Sequence, residues 1–518
     1  MAASCNGHGM DSQRETIEFL STPHAHAGRA VERVDTHASI VFLAGDAAYK
    51  LKRAVRYDYL DFSTPERRQA MCNAELALNR RIAPQIYDRV VPVTRDASGA
   101  LAIDGRGTAV DWLLVMRRFD QGQLLDRLAT ARALPRQLMA PLGQAIARMH
   151  QGAERCAARG GAASMAWVVD GNARDFATRP ALDAGVAGEV TAQARALLAA
   201  HGGRLDERQA SGLVRCCHGD LHLRNIVLLD GVPTPFDAVE FNGDISCIDV
   251  LYDLSFLLMD LWRRSLPAHA NAVFNAYIGE TGDVDGLRLL PLFLACRGAV
   301  RAKTGATTAA LETDAGKRRA LEHAAAAYLT LARQLLDPPP PRLIAIGGVS
   351  GTGKSTLARS LAPAVGPVPG ALLVRSDEVR KRQAGVPMLS PLAPESYTAD
   401  ASARVYTAAG DSARQGVAAG HSVIVDAVFA RAAERDAIEA IARRAGVSFI
   451  GIWLDAPAAV CIERVESRHG DASDAGAEVV RAQVVRDSGV VQWRRLNAAG
   501  PPEHTMRAAR SLVGLSSD

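Results

Sequence analysis

Aromatic residues are scarce, at 5% of the chain. No stretch approaches the ~18 uninterrupted apolar residues that a membrane-crossing helix needs. The longest candidate, Leu251 to Trp262, is broken by Asp253 and Asp260, so no membrane partner is expected. Among the 8 cysteines no pair has C-x-x-C spacing, although Cys216 and Cys217 are neighbours. A zinc site or a disulfide scaffold is not expected, and buried or free thiols suit a reducing cytoplasm. A surplus of one charge is missing too. The 60 basic and 56 acidic residues leave a formal charge of +4, which gives no electrostatic case for a nucleic-acid partner. Met1 to Arg14 has neither a basic start nor an apolar core, so a signal peptide is not expected. Nothing in the pattern fixes an oligomeric state.

What is present is globular: 518 residues, 48% hydrophobic and 22% charged, enough for two or three domains. One boundary is sharp. Asp337-Pro338-Pro339-Pro340-Pro341 follows the alanine-rich helical stretch Lys317 to Leu336 and precedes the apolar run Leu343 to Ile346. A proline run lacks backbone donors and favours a stiff extended form, so 337–341 reads as a linker between domains at 15–336 and 342–518. The first opens with a hairpin, Ser39 to Leu43 and Ala47 to Lys52 around Gly45-Asp46. A helix starting near Ser63 follows, with Glu66 placed as in a capping box and Pro65 in the first turn; it carries Glu75 and Asn79 on one face. Trp112 to Met116 reads as a strand, and about 250 to 335 as mainly helical. The second domain alternates strands (Leu343–Ile346, Leu372–Val374, Val423–Val425, Phe449–Leu454) with helical sequence, which argues for a parallel sheet covered by helices.

Gly348-Val349-Ser350-Gly351-Thr352-Gly353-Lys354-Ser355 fits G-x-x-x-x-G-K-[ST] in full, after a strand and before a helix. Gly348, Ser350, Gly351, Thr352, Gly353 and the following Thr356 are the expected nucleotide contacts, because backbone N–H groups and the helix N-terminus meet phosphate charge there. Lys354 would reach the β- and γ-phosphates of ATP, and Ser355 would hold Mg²⁺. Carboxylates at the C-terminal ends of parallel strands lie where ligands bind. Asp377 is thus expected to orient or deprotonate an acceptor hydroxyl, and Asp426 to hold water on Mg²⁺. Arg464 and Arg468, one helical turn apart, would neutralise charge on the moving phosphoryl group. Through the Walker A run, Asp377-x-x-Arg380 and this arginine-bearing segment, the domain resembles small P-loop kinases of the gluconate kinase, zeta-toxin and adenylylsulfate-kinase type. The resemblance implies an α/β P-loop NTPase fold, with Asp377 activating the acceptor and Arg380 contacting substrate or phosphate.

In the first domain His218-Gly219-Asp220-Leu221-His222-Leu223-Arg224-Asn225 has the Asp-x-x-x-x-Asn spacing of a kinase catalytic loop, and Pro235-Phe236-Asp237 supplies a second carboxylate. Asp220 would accept or orient the acceptor proton, with Asn225 and Asp237 as Mg²⁺ ligands. Lys50 and Lys52 share a strand face, and either can reach the phosphates with Glu75 as ion-pair partner; Lys50 is preferred. Met116 would sit at the hinge against adenine. His218 is read as a scaffold residue, His222 has no evident role, and Asp249 and Asp253, spaced for one helix face, are expected to order the loop.

The region resembles the aminoglycoside phosphotransferase superfamily, which implies an α+β protein-kinase-like fold. Tyr49-Lys50-Leu51-Lys52-Arg53, Leu60-Asp61-Phe62-Ser63-Thr64 and Phe236-Asp237-Ala238-Val239-Glu240-Phe241 extend the resemblance to bacterial bifunctional aminoglycoside phosphotransferase/ATP-binding proteins over nearly the whole chain. Two features depart from the pattern. His37 to Asp46 offers only Gly45 in place of a glycine-rich phosphate loop, and Glu240 is either a further metal ligand or a partner for an arginine. The expectation is a cytoplasmic tandem ATP·Mg²⁺ phosphotransferase acting on small hydroxylated acceptors, sugar-like or aminoglycoside-like. The alternative is an active P-loop kinase regulated by a nucleotide-sensing, catalytically weak kinase-like domain.

Overall fold

The computed structural model describes residues 8–36, 38–57, 60–468, 470–486 and 488–515. Residues 1–7 of the stretch Met1 to Arg14, and His37 of the segment without a glycine-rich loop, lie outside them. The chain forms two compact units. The first comprises 1–138, 145–168 and 198–260, and the second 139–144, 169–197 and 261–518. The proline run at 337–341 thus falls inside the second unit.

In the first unit the alternating apolar residues of the hairpin build an antiparallel sheet. Its strands are β1 (Val31–Asp35), β2 (Ser39–Ala44) and β3 (Ala47–Lys52). A short pair, β4 (Arg56–Tyr57) and β5 (Leu60–Asp61), stands apart from it, and β6 (Tyr87–Arg95), β7 (Leu101–Ile103) and β8 (Thr108–Arg117) complete it in the order β1-β2-β3-β8-β6-β7. Ile40, Phe42, Leu51, Val91, Val93 and Leu113 fill its core. The helix Pro65–Ile82 packs beside this sheet. Its cap is Thr64, whose hydroxyl accepts from Arg67 N, and not Ser63, because Pro65 fixes the first helical φ and the Ser63 hydroxyl is engaged by Asp61. Next come β9 (Val214–Cys216), the hairpin β10 (Ile226–Leu229) and β11 (Val232–Pro235), and β12 (Cys247–Asp249), which pairs with β9.

In the second unit the helices Pro267–Thr281, Leu290–Leu311 and Ala315–Leu336 precede a five-stranded sheet. Its strands are β13 (Arg342–Gly347), β14 (Leu372–Arg375), β15 (Val423–Asp426), β16 (Ser448–Asp455) and β17 (Arg494–Asn497). Their order is β14-β15-β13-β16-β17, and every pairing is parallel. Ile344, Ile346, Leu357, Leu361, Ile424 and Ile452 form its core. The four strands expected from apolar runs are present; β17 is an edge strand with exposed Arg494 and Arg495 and has no such run. At the opposite edge Asn271 Nδ2 donates to the carbonyls of Pro369 and Ala371, and Asn275 Oδ1 accepts from Leu373 N at 2.6 Å. Among the described residues no helix is long and apolar enough to cross a membrane.

Candidate functional site

The kinase-like site gathers on β3, the helix Pro65–Ile82 and the loops around β10–β11. Alternation places Lys50 and Lys52 side by side, and each ammonium takes one oxygen of the fully buried Glu75, at 2.7 and 2.6 Å. Their second partners differ. Lys50 donates to Asp237 Oδ1 at 2.6 Å and keeps 15% exposure, whereas Lys52 pairs with Glu240, lies against the Phe62 ring and is 2% exposed. Only the first combination leaves a lysine beside the expected metal carboxylate. The partner of Glu240 is therefore a lysine where an arginine was considered. Burial pushes the Glu75 carboxyl up, yet the two ammonium groups outweigh it and hold its pKa down at about 2. Burial opposes the Lys50 charge, and Asp237 and Glu75 overcome it, raising its pKa.

Asn225 Nδ2 donates to both the backbone oxygen and Oδ2 of Asp220 at 3.0 Å, so the two are in contact as the loop spacing predicts. Asp237 sits at φ +63°, a conformation that its backbone N–H bond to the Tyr87 hydroxyl and the clamp of Asn79 on Ala238 hold in place. This use of Asn79 was not foreseen, although its position one turn from Glu75 was the available signal. The scaffold reading of His218 fits its Nε2 contact with Phe236 O at 2.9 Å and a pKa lowered by burial. Asp253 accepts from His218 N and Gly219 N and meets His150 Nε2 at 3.1 Å. Asp249 lies on β12, not on the same helix as Asp253, and is taken by Arg208. His222 stacks edge-on against Phe256 and lies 3.3 Å from Asp220 Oδ2. Met116 is half-buried near the end of β8, packed with Leu114, Val227 and Phe236.

In the second unit the P-loop links β13 to the helix Lys354–Leu361. Gly351 has φ +85°, and a Cβ there would lie 2.4 Å from the carbonyl oxygen of Cys461, so a side chain is excluded twice over. Thr352 is buried and turns its hydroxyl to Val349 O, while Ser350 N donates to Gln483 Oε1 at 2.8 Å. Lys354 Nζ donates to Val349 O at 3.0 Å, and burial lowers its pKa against the pull of Asp426 and Asp377. Ser355 Oγ donates to Asp426 Oδ2 at 2.5 Å. Thr356 faces outward. Asp377 follows the end of β14, and its pKa is raised by burial and by Asp426.

Arg375 is the residue that the sequence pattern did not single out. It is 2% exposed and reaches Glu378, Asp426, Asp471 and the Ser355 hydroxyl. The signal was its place directly before Ser376-Asp377, at the end of a parallel strand. The expected arginines are differently engaged. Arg464 donates to the carbonyls of Ala498, Ala499 and Gly500, and Arg468 to those of Ser473 and Ala475. The Arg468 charge adds to the lowering of the Lys354 pKa. Arg380 lies over the Tyr397 ring, contacts Ser396 and Ser402, and has a buried Nε without a hydrogen-bond partner. Asp474 gathers Lys381, Leu392 N and the Tyr397 hydroxyl over the same region.

Both sites offer hard oxygen donors, Asn225 with Asp237 and Ser355 with Asp426, in reach of a lysine. That donor set suits a small divalent cation carried by phosphates. Residues 42–290 match the phosphotransferase enzyme family and residues 343–486 an AAA domain family. The uncharacterized protein Rv2004c of Mycobacterium tuberculosis is 30% identical over 492 residues, spanning 92% of this chain and 94% of that one. Among solved structures, a gluconokinase from Sinorhizobium meliloti 1021 is 23% identical over 34% of this chain and 91% of its own, with a TM-score of 0.25. A choline/ethanolamine kinase family protein from Mesorhizobium loti is 17% identical over 62% of this chain and 98% of its own, with a TM-score of 0.38.

Proposed function

We propose a function from this premise: the chain belongs to the two-domain family that includes the mycobacterial protein Rv2004c, and it is an enzyme of the phosphotransferase kind. The reading is a tandem kinase. Each functional domain, 15–336 and 342–518 about the 337–341 linker, moves the γ-phosphate of ATP to a hydroxyl of a small acceptor. The observation that carries it is the Lys50 ammonium held between Glu75 and Asp237, with Asp220 and Asn225 in contact on the catalytic loop.

When bound, ATP would supply the phosphoryl group and Mg²⁺ positive charge to offset that of the phosphates. In the kinase-like site Asn225 and Asp237 would hold that ion, Lys50 would face the phosphates, and Met116 would lie at the adenine hinge. Asp220 would orient the acceptor hydroxyl and take its proton. In the P-loop site Ser355 and Asp426 would hold the ion, and the backbone from Gly348 to Thr356 would line the phosphates with Lys354. Asp377 is the group for the acceptor proton; burial and Asp426 raise its pKa, which strengthens it as a base. Arg468 and Arg375 supply positive charge there, and Arg380 faces the acceptor. The acceptors are small polyhydroxylated molecules, sugar-like or aminoglycoside-like, and the need for ATP locates the enzyme in the cytoplasm.

A second reading has one supporting observation. Only Gly45 and Asp46 separate β2 from β3, too short a turn to close over phosphates. On that reading the kinase-like site senses nucleotide and sets the activity of the P-loop site. The test is γ-phosphate transfer from labelled ATP into a metabolite pool by the full chain, its Asp220→Asn and its Lys354→Ala variants. Loss of a different labelled product in each variant supports the tandem kinase. Loss with Lys354→Ala alone supports the sensor, and unchanged labelling in both overturns the assignment.

A further inference from the structure

Seven cysteines are free among the described residues. Cys72, Cys217, Cys296 and Cys461 are buried, while Cys156, Cys216 and Cys247 are half-buried. These three belong to one patch of the first unit. Cys216 ends β9 and is the direct cross-strand neighbour of Cys247 on β12. The segment 154–156 runs along β9 as well: Cys156 N donates to Val214 O, Cys216 N to Glu154 O, and Arg155 bridges Arg215. The Cys156 and Cys247 sulfurs are 2.6 Å apart, with the Cys156 thiol donating to Cys247. A disulfide bond is ~2.05 Å long, so the two sulfurs are about half an ångström from bonding distance.

The strand beside Cys156 and the strand that carries Cys247, β9 and β12, frame the catalytic loop. β9 leads through Cys217 directly into His218-Gly219-Asp220, and Cys217 N donates to Ser246 O beside β12. β12 leads into the helix Val250–Arg263, whose Asp253 accepts from the N–H groups of His218 and Gly219. A covalent tie at Cys247 therefore acts on the strand that positions the loop's anchor.

We propose that Cys156 and Cys247 form an oxidisable dithiol, which hydrogen peroxide closes into a disulfide that fixes the frame of the catalytic loop. In the first step the Cys247 sulfur attacks one peroxide oxygen; the O–O bond breaks, Cys247 becomes a sulfenic acid and one water leaves. In the second the Cys156 sulfur displaces the sulfenic oxygen, which departs as a second water with the Cys156 proton. Two thiols and one peroxide give one disulfide and two waters, and a dithiol reductant reverses the change. Burial, with Cys247 next, holds the Cys156 pKa up at about 12, which disfavours its thiolate and so its attack on peroxide in the first step.

The full chain is reduced, desalted, exposed to hydrogen peroxide, capped with N-ethylmaleimide and digested for mass spectrometry. The expected result is a peptide pair joined through Cys156 and Cys247, reversed by dithiothreitol and missing from both Cys156→Ser and Cys247→Ser, with Cys216 capped. Recovery of Cys156 and Cys247 as separately capped or separately oxidised residues overturns the proposal, as does a cross-link that runs through Cys216. Because closure needs so little movement, the oxidised chain should melt roughly 5 °C higher in its first transition. A lower melting temperature would refute closure without rearrangement.

Discussion

Lys52→Met separates the two lysines by what each is for. Lys52 is 2% exposed, and its carboxylate partners Glu75 and Glu240 are 0% and 6% exposed. Removing the ammonium leaves Glu75 with Lys50 and strips Glu240 of its ion pair, in a region with little water to compensate. Breaking a buried pair from one side costs about 3–5 kcal/mol, and a drop of roughly 10 °C in melting temperature corresponds to that loss in a unit of this size. The pH dependence has a definite sign. Glu75 has a folded pKa of about 2, below its ordinary value of 4.5, so its contribution is complete above 4.5 and lost only as pH falls through 2. The wild type therefore keeps this term between pH 7 and pH 5. Glu240 already has a pKa raised by burial and by Glu75, and loss of the opposing Lys52 charge raises it further, so proton uptake as pH falls relieves the variant. The deficit of the variant should accordingly narrow from pH 7 to pH 5. Urea and thermal unfolding of the full chain at both pH values measure it, with Lys52→Met/Glu240→Leu as the control that should recover most of the loss. A deficit under about 1 kcal/mol, or one that is equal at the two pH values, would refute the assignment of Lys52 to structure.

Three further outcomes follow from the same geometry. Asp220→Asn should lower transfer by the kinase-like site about 10²–10⁴-fold while nucleotide binding, read by fluorescence of a labelled ATP analogue, stays within a few-fold. Lys354→Ala should lower the P-loop reaction about 10²–10³-fold and leave the Asp220-dependent product untouched, as seen by separating labelled products. Burial pushes the His421 pKa down to about 4, against a bond to Gly370 O, so its neutral form contributes stability that is whole above 6.5 and lost as pH falls towards 4. The span amounts to on the order of 3 kcal/mol, and His421→Gln should flatten that part of the stability–pH curve in urea titrations.

The elements whose pattern is local were legible in the sequence. The β2–β3 hairpin, the loop from His218 to Asn225 and the four apolar strands of the parallel sheet each announce themselves within a few residues, because alternation, turn chemistry and glycine spacing act over short range. What stayed hidden depends on partners far along the chain. Nothing near Lys50 or Lys52 says which one Glu240 will engage, since that is settled 188 residues away. Arg375 was passed over because a lone arginine after an apolar strand carries no spacing signature; its meaning comes from Ser355, Asp426 and Asp471 converging on it. Arg464 illustrates the reverse. The helix that carries it ends at Glu466, before Arg468, so the two do not share a helix face, and the loop at 498–500 presents three carbonyls that claim Arg464. β17 has no apolar run because an edge strand can be half solvated.

The proline run gives the chain the look of two beads on a string, and the contacts of Asn271 and Asn275 make that image wrong for the second bead. β14 is the outermost strand of its sheet, and an uncovered outer strand is a template on which other chains can add. Here two amides from the helix Pro267–Thr281, encoded well before the prolines, occupy the backbone groups at Pro369, Ala371 and Leu373. The C-terminal half is therefore not a cassette that can be lifted out at residue 342 and joined elsewhere. A gene cut there would deliver a sheet whose outer edge has lost that cover.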